Sequence, residues 1–211
     1  MILYSYWRST TAFRVRVVLN MLDLNHQIRP VNLALGEHLL PSYAALNPGQ
    51  SVPVLELDCG TRLSQSMAII DYLLARHGAR GLIPDDPLLA ARMRSAVDTI
   101  AMDIHPLNNL RVLGRLGQLG HSTAEIRVWM RHWMDKGLSA FQARLAPQQP
   151  FSFGPTPTLA DVCLSGQMIN ARRWGLDLAP LARLVDIDTR CRALPAFAAA
   201  LPENQPDAEQ D

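Results

Sequence analysis

Hydroxyl side chains and an arginine stand together near the start of the chain, where a strand pattern changes to a helix pattern. Arg8 is followed directly by Ser9, Thr10 and Thr11. Backbone N–H groups at a helix start have no partners within the helix, and the helix dipole places positive charge there. Such a junction could hold a thiolate. Helix capping is the simpler explanation, because Ser and Thr are among the commonest N-cap residues.

The elements on either side of this junction are predicted from the spacing of apolar residues. Residues 2–6 read as a short strand, and the apolar residues that follow recur on a single helical face. These are Val15, Val18, Leu19 and Leu22. A second strand is predicted at residues 26–32, followed over residues 33–49 by a long loop with at most a short helix. Together they form a strand-helix-strand unit.

A hairpin and a further helix complete the first domain. Residues 52–57 and 62–63 flank a turn signal at residues 58–60, which predicts two antiparallel strands. Ser66 is expected to cap the helix that follows. We therefore predict an α/β domain over residues 1–80.

The second part of the chain changes in character. Residues 81–87 read as a linker, and residues 88–202 contain amphipathic runs without strand alternation, so an all-helical domain is predicted there. Within it, Thr158 and Asp161 have the spacing of a capping box, which assigns them to folding. Residues 203–211 are acidic and almost free of apolar side chains, so we expect a flexible tail without a function.

Composition excludes several classes of function. The chain has 211 residues, 48% of them hydrophobic, and 20 Lys and Arg balance 19 Asp and Glu. This charge gives no general field for nucleic acid or an anionic membrane. Three scattered cysteines fit neither a disulfide framework nor a zinc site, so no metal is expected. Without a signal-peptide pattern or a long apolar run, we expect a cytoplasmic protein.

Two further polar positions could serve a ligand. Pro53 follows Val52 at the start of a predicted strand, where a cis peptide would explain the proline, although an ordinary trans proline is far commoner. Gln65 and Ser66 repeat the arrangement of the first junction, a polar pair at a helix N-terminus. That pair could bind a carboxylate or could simply cap the helix.

Polar side chains also interrupt the helical domain. His105, Asn108 or Asn109, and Arg111 are close enough in sequence to line one wall of a cavity, although Pro106 makes their direction uncertain. A solvated helix face with a proline kink would explain the same residues. A second basic pair precedes Trp174, and its Arg173 could lie on the surface or face a pocket.

Five motifs together resemble the zeta-class glutathione transferases, which include the maleylacetoacetate and maleylpyruvate isomerases. They are YWRSTTAFRVR, GEHLLPSYAALNPGQSVPVLE, QSMAIIDYL, DIHPLNN and TLADVCL. The resemblance covers nearly the whole chain. It implies the glutathione transferase fold, which is an N-terminal thioredoxin-like domain followed by a C-terminal helical domain. It also implies a homodimer, with reduced glutathione as cofactor.

The resemblance also implies where glutathione and substrate bind. The γ-glutamyl end is assigned to Gln65 and Ser66, and the glycyl end to His38 and Gln50. The peptide backbone is assigned to a cis turn at Val52 and Pro53. The remaining expected ligand-binding residues are Ser9 and Thr11 for the thiolate, and Arg8, His105, Asn109, Arg111 and Arg173 for a dicarboxylate substrate.

One position departs from the family pattern. The class signature usually has cysteine where this chain has Thr11. Its absence weakens any mechanism with an enzyme-glutathione disulfide, but cis-trans isomerisation needs only the thiolate of glutathione. We therefore predict a glutathione-dependent isomerase of a maleyl keto acid, with Ser9, Thr11 and Arg8 as catalytic residues. A threonine at this position resembles the maleylpyruvate isomerase branch of the family, so maleylpyruvate is favoured over maleylacetoacetate as the substrate.

Two alternatives use the same fold. A general glutathione transferase would conjugate electrophiles at the same thiolate site, although apolar electrophiles give little reason for several arginines. A non-catalytic binding protein is the other, and the presence of Ser9, Pro53, Gln65 and Ser66 argues against it.

Overall fold

The computed structural model describes residues 1–208, and they form two compact units. Unit 1 contains Met1–Arg80 together with the chain from Ala193 onward, and unit 2 contains Gly81–Arg192. The sequence analysis expected the first domain to end at residue 80 and the helical domain to end at residue 202, whereas unit 2 ends at Arg192 and the chain then rejoins unit 1.

Unit 1 is built on a mixed four-stranded sheet. Its strands are β1 (Ile2–Ser5), β2 (Gln27–Pro30), β3 (Val54–Glu56) and β4 (Arg62–Ser64), in the spatial order β2-β1-β3-β4. β1 pairs with β2 in parallel, and the other neighbours pair antiparallel. The parallel pair requires a crossover, which a helix supplies. The strand-helix-strand unit and the hairpin predicted from the sequence are both present, and the topology is thioredoxin-like.

The crossover helix α1 (Thr10–Met21) is buried on nearly all sides. Its residues from Ala12 to Leu19 are all buried, including the side chains of Arg14 and Arg16. The expectation of a single apolar face was therefore too narrow. Two further helices follow in this unit, the short α2 (Pro41–Leu46) and α3 (Ser66–His77), and α2 lies in the segment predicted as mostly loop.

The start of α3 corrects one prediction. Ser66 is the first residue of the helix, and the N-cap is Gln65, whose φ of 71° lies in the left-handed region. Among residues 1–208, no side chain caps this end. The backbone N–H groups in the first turn of α3 therefore do not receive the hydrogen bond from a Ser66 cap that the sequence analysis expected.

All the secondary-structure elements of unit 2 are helices, as predicted. Its α-helices are α4 (Pro87–Asp98), α5 (Leu110–Gln118), α6 (Thr123–Gln142), α7 (Leu159–Arg173) and α8 (Ala182–Arg192). A π-helical segment, Thr99–Ile104, and a 3-10 turn, Pro106–Asn108, connect α4 to α5. Within the described part of the chain, no helix has both the length and the apolar character to cross a membrane.

The C-terminal segment, which we define as residues 193–208, packs in unit 1. It contains the short helix α9 (Pro195–Ala198) and a 3-10 turn, Pro202–Asn204. Asp207 is only 4% exposed and accepts a hydrogen bond from the backbone N–H of Trp7. The expectation of a flexible tail therefore does not fit residues 203–208, because the Asp207 carboxylate is buried and hydrogen-bonded, not solvated as the composition suggested. Residues 209–211 lie outside the described part.

The capping box at the start of α7 is present and fully buried. Asp161 accepts hydrogen bonds from the N–H groups of Ser152 (2.8 Å) and Thr158 (2.7 Å), and from the Thr158 hydroxyl (2.9 Å). A second capping box, Ser122 with Glu125, starts α6 at an exposed position. The same motif thus occurs once in the core and once at the surface.

We predict that Asp161→Ala lowers the free energy of unfolding by about 2–4 kcal/mol, because it leaves buried donors without acceptors. Glu125→Ala is the matched control and should cost at most about 1 kcal/mol, since water can replace its carboxylate. Urea unfolding followed by circular dichroism measures both. Equal losses in the two variants would contradict this account.

Candidate active site

The junction between β1 and α1 is capped by Ser9. Its backbone is extended, with φ −70° and ψ 117°, and its Oγ accepts a hydrogen bond from the N–H of Ala12 at 3.2 Å. The capping interpretation of the hydroxyl cluster is therefore correct. A serine oxygen that accepts in this way still has its one hydrogen to donate elsewhere.

That hydrogen enters a chain of hydroxyl groups. Ser9 Oγ lies 2.9 Å from Thr11 Oγ1, and the Thr11 hydroxyl donates to the carbonyl oxygen of Val52 at 3.1 Å. Because Thr11 has a single hydrogen, Ser9 is the donor in the first of these contacts. The chain links the N-terminus of α1 to the loop before β3. Two hydroxyls that could face a thiolate are thus held side by side.

The loop before β3 contains a cis peptide bond between Val52 and Pro53, both of which are buried. The carbonyl oxygen of Ser51, one residue earlier, accepts from the Tyr43 hydroxyl and from Asn47 Nδ2, each at 2.8 Å. These two donors hold the backbone that enters the cis turn. The turn that the resemblance implied is present, at the end of the hydroxyl chain.

The buried guanidinium of Arg14 lies next to the N-terminus of α3. Ser66 is 5% exposed, and its Oγ accepts a long hydrogen bond of 3.5 Å from Nη1 of Arg14, a residue of α1. Nε and Nη2 of Arg14 are buried and have no hydrogen-bond partner among the described residues. Ser66 accepts from a group that can only donate, so its own hydrogen remains available. This end of α3 is suited to a carboxylate.

His38 and Gln50 lie in the long segment between β2 and β3. His38 belongs to the 3-10 turn Glu37–Leu39, and Gln50 Nε2 donates to the carbonyl oxygen of Leu39 at 3.4 Å. Burial lowers the pKa of His38 from its usual 6.5, and its buried Nδ1 has no partner among the described residues. Burial therefore favours the neutral form of its imidazole. Gln50 thus contacts the backbone one residue after His38, from the far side of α2 in the sequence.

Arg8 is exposed and lies against an aromatic ring. Its guanidinium carbon is 4.2 Å from the centre of the Trp7 ring, a cation–π distance. Stacking limits the directions that a long side chain can adopt. Arg8 is thus held next to Ser9 and remains accessible.

The remaining predicted residues belong to unit 2. His105 follows the π-helical segment, and Asn109 is the N-cap of α5, where its Oδ1 accepts from the N–H of Arg111 at 3.2 Å. Arg111 is exposed on the first turn of α5, so these three share one short stretch. Arg173 is the last residue of α7 and is also exposed. The proline-kink expectation was partly right, since Pro106 begins a 3-10 turn instead of continuing a helix.

Several residues that support the site were missed from the sequence. Tyr43 and Asn47 hold the entry to the cis turn, and burial raises the pKa of the Tyr43 hydroxyl, so it acts only as a neutral donor. Arg14 and Arg16 are buried arginines in a helix, and Asp207 is hidden in an acidic stretch. The one available signal was the position of both arginines among apolar helix residues.

Comparisons with known proteins agree with this fold. Residues 1–75 match the family model of the glutathione S-transferase N-terminal domain. A maleylacetoacetate isomerase of Pseudomonas aeruginosa is 44% identical over 207 residues, with 97% of each chain covered. The holo structure of a maleyl pyruvate isomerase, a bacterial zeta-class glutathione transferase, has a TM-score of 0.95 at 39% identity and covers 99% of this chain and 100% of its own.

A further solved structure shows ligands. The maleylacetoacetate isomerase of Anaeromyxobacter dehalogenans, with dicarboxyethyl glutathione and citrate in its active site, has a TM-score of 0.86 at 38% identity. The match covers 98% of this chain and 93% of that one. Fold and site together define a glutathione transferase. The chain belongs to the zeta-class family of maleylacetoacetate and maleylpyruvate isomerases.

Proposed function

We propose that this chain is a glutathione-dependent cis-trans isomerase of a maleyl keto acid, with maleylpyruvate favoured over maleylacetoacetate. The observation that carries the proposal is the pair of hydroxyls, Ser9 and Thr11, at the N-terminus of α1 beside the cis turn. Full-length relatives with both isomerase names support the reaction class. Thr11, in place of the usual cysteine, supports the maleylpyruvate side.

Reduced glutathione fits the donors of unit 1. Its γ-glutamyl carboxylate suits the uncapped N-terminus of α3, where Ser66 has a free hydrogen and Arg14 supplies buried positive charge. His38 and Gln50 suit the glycyl end. When bound, glutathione would supply a thiolate that adds to the maleyl double bond and departs after rotation about the single bond thus formed.

The residues around the thiol must lower its pKa. A thiol with a pKa near 8.5 needs a shift of about two units to be mostly ionised at neutral pH, which is roughly 2.7 kcal/mol. The dipole of an exposed helix end supplies only about 0.3–1 kcal/mol. A hydroxyl hydrogen bond to an anion is worth about 1.5–3 kcal/mol, so at least one hydroxyl must donate to the sulfur.

The hydroxyl chain favours Ser9 as that donor. Ser9 can turn its hydrogen from Thr11 toward a thiolate while the bond from Thr11 to Val52 remains. If Thr11 donated instead, it would leave the buried carbonyl of Val52 to be satisfied by the ligand. We therefore assign Ser9 as the principal thiolate donor and Thr11 as support.

Ser9→Ala should raise the pKa of the thiol of bound glutathione by about one to two units, which corresponds to the lost charge-assisted hydrogen bond. Thr11→Val should raise it by less. Thiolate absorbance followed against pH measures both shifts, with Thr10→Val as a control in the same turn outside the hydroxyl chain. A larger rise in Thr11→Val than in Ser9→Ala would exchange the two roles.

The cations are proposed to bind the two carboxylates of the substrate and the negative charge that develops during addition. Arg8 is the principal candidate because it adjoins Ser9 and is steadied by Trp7. Guanidinium groups bind carboxylates through two parallel hydrogen bonds. From unit 2 we propose Arg111 and Arg173 as further cations, with His105 and Asn109 as orienting groups.

Arg8→Lys should keep the charge but lose the paired geometry and the stacking on Trp7. We expect kcat/KM to fall by about tenfold to a hundredfold, equivalent to about 1.4–2.8 kcal/mol. Steady-state kinetics test this. Arg76→Lys is the matched control, because Arg76 lies in the last turn of α3, at the end away from Ser66. If Arg8→Lys had the kinetics of the control, Arg8 would have no part in the mechanism.

The reaction itself is tested by mixing the protein with reduced glutathione and each maleyl substrate and following loss of the cis isomer. We expect turnover only with glutathione, a higher kcat/KM for maleylpyruvate, and no net consumption of glutathione. Consumption in step with product would indicate conjugation. Failure to bind a glutathione resin would indicate a non-catalytic protein.

We further propose a homodimer, in line with the resemblance. Large apolar side chains remain exposed in unit 2, including Leu88 (61% exposed) and Met102 (60% exposed). A dimer interface that covered these side chains would remove their apolar surface from water. A cytoplasmic location remains a prediction.

A further inference from the structure

The C-terminal segment packs against α1 through its helix α9. Phe197 of α9 packs edge-to-face on Phe13, with ring centres 6.5 Å apart, and Asn20 Nδ2 donates to the carbonyl oxygen of Ala196 at 3.0 Å. Farther on, Gln205 Nε2 donates to the carbonyl oxygens of Ala199 and Leu201, each at 2.9 Å. These bonds give the last part of the segment a defined path.

Arg16 joins this segment to the turn that precedes Ser9. Its Nε and Nη2 both donate to the carbonyl oxygen of Ala200, at 3.1 and 3.0 Å. The same guanidinium donates to the carbonyl oxygens of Tyr6 (3.4 Å) and Trp7 (3.2 Å), and to Ser5 Oγ (2.8 Å). Arg16 therefore fixes two successive carbonyls of the turn.

Asp207 holds the same turn through the N–H of the Tyr6–Trp7 peptide, whose carbonyl oxygen accepts from Arg16. Its Oδ2 accepts the backbone N–H of Trp7 at 3.0 Å, while Oδ1 is buried without a hydrogen-bond partner among the described residues. Burial lowers the pKa of Arg16 to about 10, and the charge of Asp207 opposes that fall, so Arg16 is cationic at neutral pH. The carboxylate is thus both the acceptor for Trp7 and a nearby counter-charge.

We propose that Asp207 is a positioning residue for the active site, through which the C-terminal segment sets the backbone that carries Arg8 and Ser9. Trp7 is one residue before Arg8 and two before Ser9, and Ser9 N donates to the carbonyl oxygen of Tyr6 at 2.9 Å. Releasing the Trp7 amide removes one restraint on this turn and leaves those from Arg16 and from Ser9 N, so the turn can shift and carry the Ser9 hydroxyl and the Arg8 guanidinium with it. This inference rests on the proposed function of those two residues.

The full-length variants Asp207→Ala and Asp207→Asn separate position from charge. Asparagine keeps an oxygen that can accept from Trp7 but removes the negative charge, whereas alanine removes both. If the hydrogen bond positions the turn, Asp207→Ala should raise the pKa of the bound glutathione thiol by about one unit and lower kcat about tenfold, since small misplacements are costly. Asp207→Asn should lie close to wild type. Equal behaviour of the two variants would overturn the proposal.

The control lies in the same segment. Asn204 is exposed, and the hydrogen bond that its side chain donates, to the carbonyl oxygen of Ala198 at 2.8 Å, lies within the segment. Asn204→Ala should leave the thiol pKa and kcat unchanged. If it changed them as much as Asp207→Ala did, general loosening of the segment would be the cause, and Asp207 would have no specific role.

Amide hydrogen exchange gives a readout that is independent of catalysis. In Asp207→Ala, a peptide covering residues 6–11 should exchange faster, while peptides from α3 should not change. If wild type showed no isomerase activity, the proposed function would fail, but the exchange result would still support or overturn the positioning of the turn. Unchanged exchange in active enzyme would overturn the positioning alone.

A further variant covers the case in which Asp207→Ala does not fold. Asp207→Glu keeps the charge but displaces the carboxylate by one methylene. Positioning predicts that Asp207→Glu raises the thiol pKa and speeds exchange of the turn, while Asp207→Asn does neither. The reverse order would show that charge, not geometry, is what Asp207 contributes.

Discussion

Ser9 has one hydroxyl hydrogen, and the N-cap hydrogen bond decides where that hydrogen can point. Because Ser9 Oγ accepts from Ala12, the oxygen is fixed over the first turn of α1, and its hydrogen points to Thr11 Oγ1, from which it can turn to a ligand. The same residue therefore satisfies a helix end and presents a donor. Folding and catalysis are not alternatives at this position. The cap gives the donor its direction, and the rest of the site is arranged around that direction.

Such a cap is useful only if the backbone before it is fixed. Burying Arg16 is costly for a cation, and the cost is offset by hydrogen bonds to carbonyls of the turn and of the C-terminal segment. Arg14 is buried one helical turn along from Thr11, with fewer partners. The two arginines place positive charge inside unit 1 beside two helix N-termini. That charge favours the anions proposed for the site.

The local elements were readable from the sequence because each has a local cause. The strand before Ser9, the hairpin around residues 58–60 and the buried capping box of Asp161 all follow from spacing and turn residues. The N-cap of α3 was placed one residue late, at Ser66, because the sequence does not indicate that Gln65 adopts a left-handed backbone conformation. The path of residues 203–208 was also misjudged, since an acidic composition predicts solvation.

The composition of the sequence could not show which backbone group each supporting side chain would contact. Asp207 is buried because the Trp7 amide, two hundred residues away in sequence, needs an acceptor. The same holds for Tyr43 and Asn47, whose target is the Ser51 carbonyl before the cis turn. These residues become functional candidates only when the chain is folded. A sequence pattern identifies groups that do chemistry more readily than groups that hold them.

Thr11 shows how one substitution can change both roles at once. A cysteine at this position would be a weak hydrogen-bond donor, so it would hold the Val52 carbonyl less firmly and offer a second reactive sulfur. The threonine hydroxyl instead donates to Val52 and accepts from Ser9, which ties the helix end to the cis turn. The position thereby loses redox chemistry and gains a fixed geometry. For a reaction in which the thiolate must only add and depart, that geometry is the more useful property.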